Sequence, residues 1–111
     1  MVMDHLHARP VCLEERSRRI IRLLGKSHVL DIIWHLVNAD QPTRFNELRR
    51  HVDVTATTLS RRLEEMGVLG LISRTVYPEV PARVEYELTE RGQGLDGVMR
   101  GLWGWIDAQR V

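Results

Sequence analysis

A chain of 111 residues is long enough for one domain with its own core and too short for two comfortable ones. Its formal net charge of +1 provides no global attraction to polyanions, so any nucleic-acid role must come from the local arrangement of charge. A single cysteine, Cys12, excludes an internal disulfide framework, a zinc ribbon and a CxxC pair, and fits a reducing cytosol.

The start, MVMDHLHARP, has acidic and histidine residues where an export signal needs a basic start and a long apolar core. Residues 1–10 show no periodicity and end at Pro10, so they read as a flexible N-terminal arm ahead of a domain over 11–111. His5 and His7, with Cys12 nearby, are zinc-type ligands in a spacing that fits no standard site, and no metal or cofactor is expected. Cys12 itself is a candidate redox switch, helped by a helix start and opposed by Glu14 and Glu15, which disfavour a thiolate.

From Leu13, apolar Leu13, Ile20, Ile21 and Leu24 recur at helical spacing with Arg16, Arg18, Arg19 and Arg22 on the other faces. Gly25 fits the stop of this helix, and Ser27 is positioned to cap the next. That second helix, about 28–38, is apolar on almost every side, the mark of a central buried helix. Its core, VLDIIWHLV, is interrupted by Asp31 and His35 and falls far short of the roughly 20 residues a membrane helix needs. A cytoplasmic protein without membrane contact is expected.

After the breaker NADQPT, Asn46 is positioned to cap a short helix holding Leu48, Arg49 and Arg50. The turn VDVT follows, and Thr55 caps a further helix through Met66 whose inward stripe is Leu59, Leu63 and Met66. Two short helices joined by a tight turn have the layout of a helix-turn-helix. LISRTVY and RVEYEL then read as two strands around the stiff loop PEVPA. Thr89 ends the second strand and opens a last helix in one step, with Leu95, Val98, Met99, Leu102, Trp103 and Ile106 forming one continuous stripe from there. Gly97, Gly101 and Gly104 sit in this helix, explained either by close approach of another helix or by tolerance in a frayed end. The order is that of a winged helix-turn-helix, mainly α with a small β-hairpin wing.

A helix wheel with Leu59 inward turns Thr57 and Arg61 almost directly outward, flanked by Thr58 and Ser60. Hydroxyls and methyls of this kind meet base edges or phosphates, and an arginine one turn later reaches guanine O6 and N7. Arg62 lies nearer the core edge, where it either holds a phosphate or pairs with a glutamate. Glu64 and Glu65 would repel DNA, so the N-terminal half of the helix is the part expected to insert. Arg44, Arg49, Arg50, Arg61 and Arg62 make a local basic surplus, and Arg83 on the wing is positioned for a minor groove or a phosphate. Arginine supplies all but one of the basic residues, which is either a preference for bidentate contacts or a coding bias of the genome. Neither GxSxG nor a glycine-rich phosphate loop occurs, so catalysis is not expected.

RFNELRRHVDVTATTLSRRLEEMGVLGLISR, followed by PARVEYELTERG, closely resembles the HxlR-type transcriptional regulators, relatives of the MarR regulators, and Gly25–Lys26 adds to the match. The resemblance covers about residues 20 to 106. It implies a homodimer that binds a near-palindromic double-stranded operator through a recognition helix and a wing. It also implies pairing through the terminal helices, here Leu13, Ile20, Val98, Leu102, Trp103, Trp105 and Ile106. The chain departs from the family pattern at Ser27 and His28, where an aromatic is common, and at Cys12, which precedes Leu13 rather than a proline and lies further from the Gly25–Lys26 turn. The alternative is a winged helix used as a protein-interaction module, with the Trp103 and Trp105 helix as its docking face.

Overall fold

In the computed structural model, which describes residues 15–109, the first element is α1, Glu15–Leu24. The arm, Cys12 and Leu13 lie outside the described residues. Leu23 is buried, Ile20 and Leu24 are half-buried, and Ile21 is 54% exposed. Gly25 follows the helix and donates back to the Ile21 and Arg22 carbonyls at 3.1 and 3.2 Å. The central helix α2, Val29–Asn38, sends Val29, Ile32, Ile33 and Leu36 into the core. Ser27 does not cap it. The N-cap position is His28, in the left-handed region at φ 71° and without a side-chain cap. Ser27 is instead consumed by Arg62, which donates from Nε to its carbonyl at 3.0 Å and from Nη2 to its hydroxyl at 3.2 Å.

A two-residue strand, β1 (Thr43–Arg44), falls where only a loop was expected. Two residues are too few for a period of two to show in the sequence. Pairing with the wing holds Arg44 extended, at φ −75° and ψ 151°, so the chain enters α3, Phe45–Val52, directly from the strand. Asn46 therefore lies inside the first turn of α3 rather than capping it. Asp53 turns the chain in the left-handed region at φ 56°, its N–H donating to the Arg49 carbonyl at 3.0 Å.

Thr55 caps α4, Ala56–Val68, as the sequence suggests: its hydroxyl accepts from the Thr58 N–H at 3.2 Å. Leu59, Leu63 and Met66 are buried on one face. Each contributes about 1.5–3 kcal/mol, so burial seats α4 while the cap, worth about 1 kcal/mol, fixes where it starts. The helix runs past Met66 to Val68, and Gly70, at φ 75°, reverses the chain. The hairpin β2 (Ile72–Tyr77) and β3 (Arg83–Leu88) pairs from Ile72↔Leu88 to Tyr77↔Arg83. β1 adds to the far side of β3, giving the antiparallel order β1-β3-β2.

Thr89 ends β3 by accepting from the Gly92 N–H at 3.0 Å, and donates to the Gly70 carbonyl at 2.6 Å. The expected single last helix is broken in two. α5, Glu90–Gln93, is followed by a turn at Gly94 and Leu95 before α6, Asp96–Ala108. The cause is close packing at the hairpin base: a Cβ on Gly92 would lie 2.0 Å from the Leu71 carbonyl oxygen. With α5 fixed there, the chain must re-aim to lay Met99 in the core and Trp103 on Trp34, stacked at 4.6 Å and 8°.

Candidate nucleic-acid interface

Three shallow grooves meet on one face of the domain. The first runs along α4 and is lined by Phe45, Thr57, Ser60, Arg61 and Glu64. A second separates α3 from the wing and shares Phe45, with Arg44, Arg50, Arg74 and Arg83 along its walls. The third lies between α4 and β2 and joins Ser60 and Glu64 to Arg74 and Tyr86. Because neighbouring grooves share residues, they form a continuous concave surface of helix, strand and loop.

The wheel orientation of α4 holds. Thr57, Ser60 and Arg61 are exposed on the side opposite Leu59, and Thr58 is half-buried. Thr58 is partly committed to the start of the helix, since its hydroxyl accepts from the Thr55 hydroxyl at 3.1 Å. Arg62 takes the glutamate alternative: Nη1 meets Glu65 Oε1 at 3.1 Å, and the side chain is 14% exposed. Lys26 bonds to the other oxygen of Glu65. The hydrogen bond from Lys26, with the help of Arg62, holds the Glu65 carboxyl below its ordinary range against a smaller opposing cost of burial. Lys26, Ser27, Arg62 and Glu65 thus fasten the α1–α2 turn to α4. Glu65 is thereby neutralised on the inner side, whereas Glu64 stays on the groove face.

Arg49 is exposed, and its Nε donates to the Val54 carbonyl at 3.3 Å, bracing the turn between α3 and α4. Arg83 is more enclosed. Its guanidinium sits 4.0 Å over the Tyr77 ring, meets Glu79 at 3.1 Å and Glu85 at 3.5 Å, and is 27% exposed. The wing's loop, with a cis bond between Val80 and Pro81, is held in shape by this cage. Arg83 therefore shapes the wing before it can reach outward. Arg50, part of the basic surplus seen in the sequence, and Arg74, which the sequence does not single out, line the groove between α3 and the wing with no ion pair among the described residues. A signal for Arg74 existed: it is in phase with buried Ile72 and pairs opposite buried Tyr86, so the pleat directs it to the helix side of the sheet.

Leu102 and Trp103 on α6 are half-buried against the chain's own core, and Ile20 is half-buried on α1. Val98, Trp105 and Ile106 remain 61%, 64% and 46% exposed. Among the described residues, no helix is long and apolar enough to cross a membrane, and no group of three or more His, Cys, Asp or Glu is placed to hold a metal ion.

The model of the HxlR-like helix-turn-helix family matches residues 23–110. The HTH-type transcriptional regulator BH0655 of Halalkalibacterium halodurans is 41% identical over 75 residues, 67% of this chain and 66% of that protein. The HTH-type transcriptional regulator YvaP of Bacillus subtilis is 34% identical over 97 residues, 83% of this chain and 88% of that protein. Among solved structures, a MarR-family transcriptional regulator from Porphyromonas gingivalis W83 superposes with a TM-score of 0.79 at 28% identity, covering 92% of this chain and 100% of the other. With its helix-turn-helix, its three-stranded wing sheet and these relatives, the chain belongs to the HxlR-like helix-turn-helix family of transcriptional regulators and has their winged-helix fold.

Proposed function

We propose that the protein regulates transcription in the cytoplasm as a homodimer that reads double-stranded DNA by sequence. The N-terminal half of α4 enters the major groove, with Thr57, Ser60 and Arg61 reaching base edges and Thr58 beside them. Arg44, Arg50 and Arg74 hold phosphates in the groove between α3 and the wing, and Arg49 adds to them near the turn. The observation that carries this reading is that continuous concave face, rich in arginine and left open by the described residues.

The dimer reading is supported by Val98, Trp105 and Ile106, an apolar patch on α6, together with Ile21 on α1. Among the described residues a Cβ on Gly97, Gly101 or Gly104 would meet nothing within 4 Å, so none of them makes use of the cost of about 1 kcal/mol that each glycine imposes on a helix. A second copy approaching that side would use it. A two-fold pair of α4 helices then calls for a near-palindromic operator with half-sites about 34–36 Å apart or a multiple of that.

Selection of bound duplexes from a random pool, followed by anisotropy titration at several salt concentrations, tests the reading. Affinity should fall steeply with salt. Arg61→Ala should cost about 1–3 kcal/mol on the selected duplex and less on a scrambled one, whereas Arg74→Ala should weaken both alike. Equal losses for Arg61→Ala on the two duplexes remove base reading from α4. Salt-independent or absent duplex binding favours the protein-interaction module, with the α6 patch as its surface.

A further inference from the structure

His35 on α2 lies against His51 on α3, ring centroids 4.6 Å apart and planes tilted by 35°. His35 Nε2 is buried and has no hydrogen-bond partner among the described residues. The nearest carboxylate oxygen is Glu47 Oε2, also on α3, at 3.9 Å, too long for a hydrogen bond. The side chain of His35 is 19% exposed and His51 is on the solvent side. An orphaned buried nitrogen beside a second imidazole is tolerable only while the inner ring is neutral.

Most of the other charges on elements packed against α2 are paired elsewhere, while Arg50 on α3 and Glu87 on β3 are exposed and have no ion pair among the described residues. On α1, Arg19 and Arg22 turn to Glu15; on β3, Glu85 is shared by Arg44 and Arg83; on α6, Arg100 meets Asp96 and the Asn38 amide oxygen. Asp31, one turn back on α2, is exposed. The titratable groups that act on the His35 ring are His51 and Glu47.

We propose that the His35–His51 pair is a proton-operated latch between the central helix and the first helix of the helix-turn-helix, closed while the buried His35 ring is neutral and loosened by acid. α3 is seated by Leu48 and Val52, and Arg49 ties it to the turn before α4. Protonation that separates α3 from α2 moves the support on which the recognition helix stands. The inference rests on the DNA-binding reading for its consequence and on the ring geometry for its cause.

Burial first, then the neighbouring His51, pull the His35 pKa below its ordinary 6.5, and Glu47 only partly opposes them. The folded state therefore binds this proton less readily than the unfolded chain. Stability from the neutral ring is full above about pH 6.5 and is lost as pH falls from there through the lowered folded-state value. Glu65, also held below its ordinary value of 4.5, loses its contribution in a separate and more acidic window.

The test compares the full chain with His35→Phe, which keeps a ring and removes the proton site, and with His35→Gln in case the phenyl ring does not fit. Thermal unfolding without DNA between about pH 8 and about pH 5.5 should show a fall in Tm for the wild type that the variants lack. The His35 ring resonance should titrate below the ordinary value, and its midpoint should rise in His51→Gln as one lowering influence is removed. For a duplex selected by this protein at about pH 8, wild-type affinity should weaken several-fold relative to His35→Phe over the same range, uptake of one proton on release allowing at most about tenfold per pH unit. Parallel Tm profiles, or a His35 midpoint unmoved by His51→Gln, overturn the latch. Diverging Tm with parallel affinities overturns its link to DNA. If no duplex is selected at all, the DNA reading fails, while Tm and ring titration still decide the latch.

Discussion

The two long helices α4 and α6 each have 13 residues and each bury one face, yet they leave opposite chemistries in water. α4 exposes Thr57, Ser60 and Arg61 above a stripe of Leu59, Leu63 and Met66. α6 buries Met99 and stacks Trp103 on Trp34, then exposes Val98, Trp105 and Ile106. The lesson is that amphipathicity only says which face is inside. The residues on the outer face decide the partner: hydrogen-bonding groups and a guanidinium suit a polyanion, whereas bare valine, tryptophan and isoleucine suit another apolar surface.

The comparison presumes that both helices are held on one frame, and Gly92 is where that frame is tightest. A Cβ there would lie 2.0 Å from the Leu71 carbonyl oxygen and 3.0 Å from its carbon, backbone atoms that cannot swing aside. Leu71 is itself tied, since its carbonyl accepts from the Thr89 N–H at 3.0 Å. Gly92→Ala should therefore cost about 3 kcal/mol, the upper end for overpacking, and lower Tm by about 15 °C in a calorimetric scan. An unchanged Tm means the junction between hairpin and α5 is looser than its geometry implies.

Trp105→Glu sharpens the contrast next. A charge placed in the exposed patch of α6 should weaken self-association by about 30-fold or more in sedimentation equilibrium, a cost of about 2 kcal/mol for a buried interface aromatic. Tm at high dilution should hardly move, because Trp105 is 64% exposed in the single chain. Arg61→Ala should leave association untouched. If Trp105→Glu associates like the wild type, the apolar face of α6 is not where two copies meet.

How much of this was legible follows from the range of the interactions. The α4 stripe, the Thr55 and Thr89 caps and the hairpin alternation are local, set by residues within one or two turns, and periodicity exposes them. The break between α5 and α6 was hidden, because it depends on Leu71 meeting Gly92 across a strand pair. Arg83 looked free as a lone wing arginine until the hairpin register brought it against Tyr77, Glu79 and Glu85. The stacking of Trp103 on Trp34 was hidden as well, because nothing in its sequence neighbourhood announces that partner. Arg74 carried a usable signal, its phase with Ile72, but one arginine in a poorly alternating strand is easily read as solvated charge.

The smallest effect separates the two caps. Thr55 and Thr89 both accept from the backbone N–H three residues on, at 3.2 and 3.0 Å. Thr89 also donates to the Gly70 carbonyl at 2.6 Å, so it pins α5 to the turn after α4, whereas the Thr55 hydroxyl donates only to Thr58 at 3.1 Å within its own helix. Thr55→Ala should cost about 1 kcal/mol and about 4–8 °C in Tm, and Thr89→Ala somewhat more. On a selected duplex the order should invert. Loss of the Thr55 cap frays the N-terminal turn that holds Thr57 and Thr58, weakening binding beyond what the lost stability predicts, while Thr89→Ala leaves affinity unchanged for the folded fraction. Equal affinities for the two variants would mean that the first turn of α4 takes no part in DNA contact, and the outer face of that helix would have to act through Ser60 and Arg61 alone.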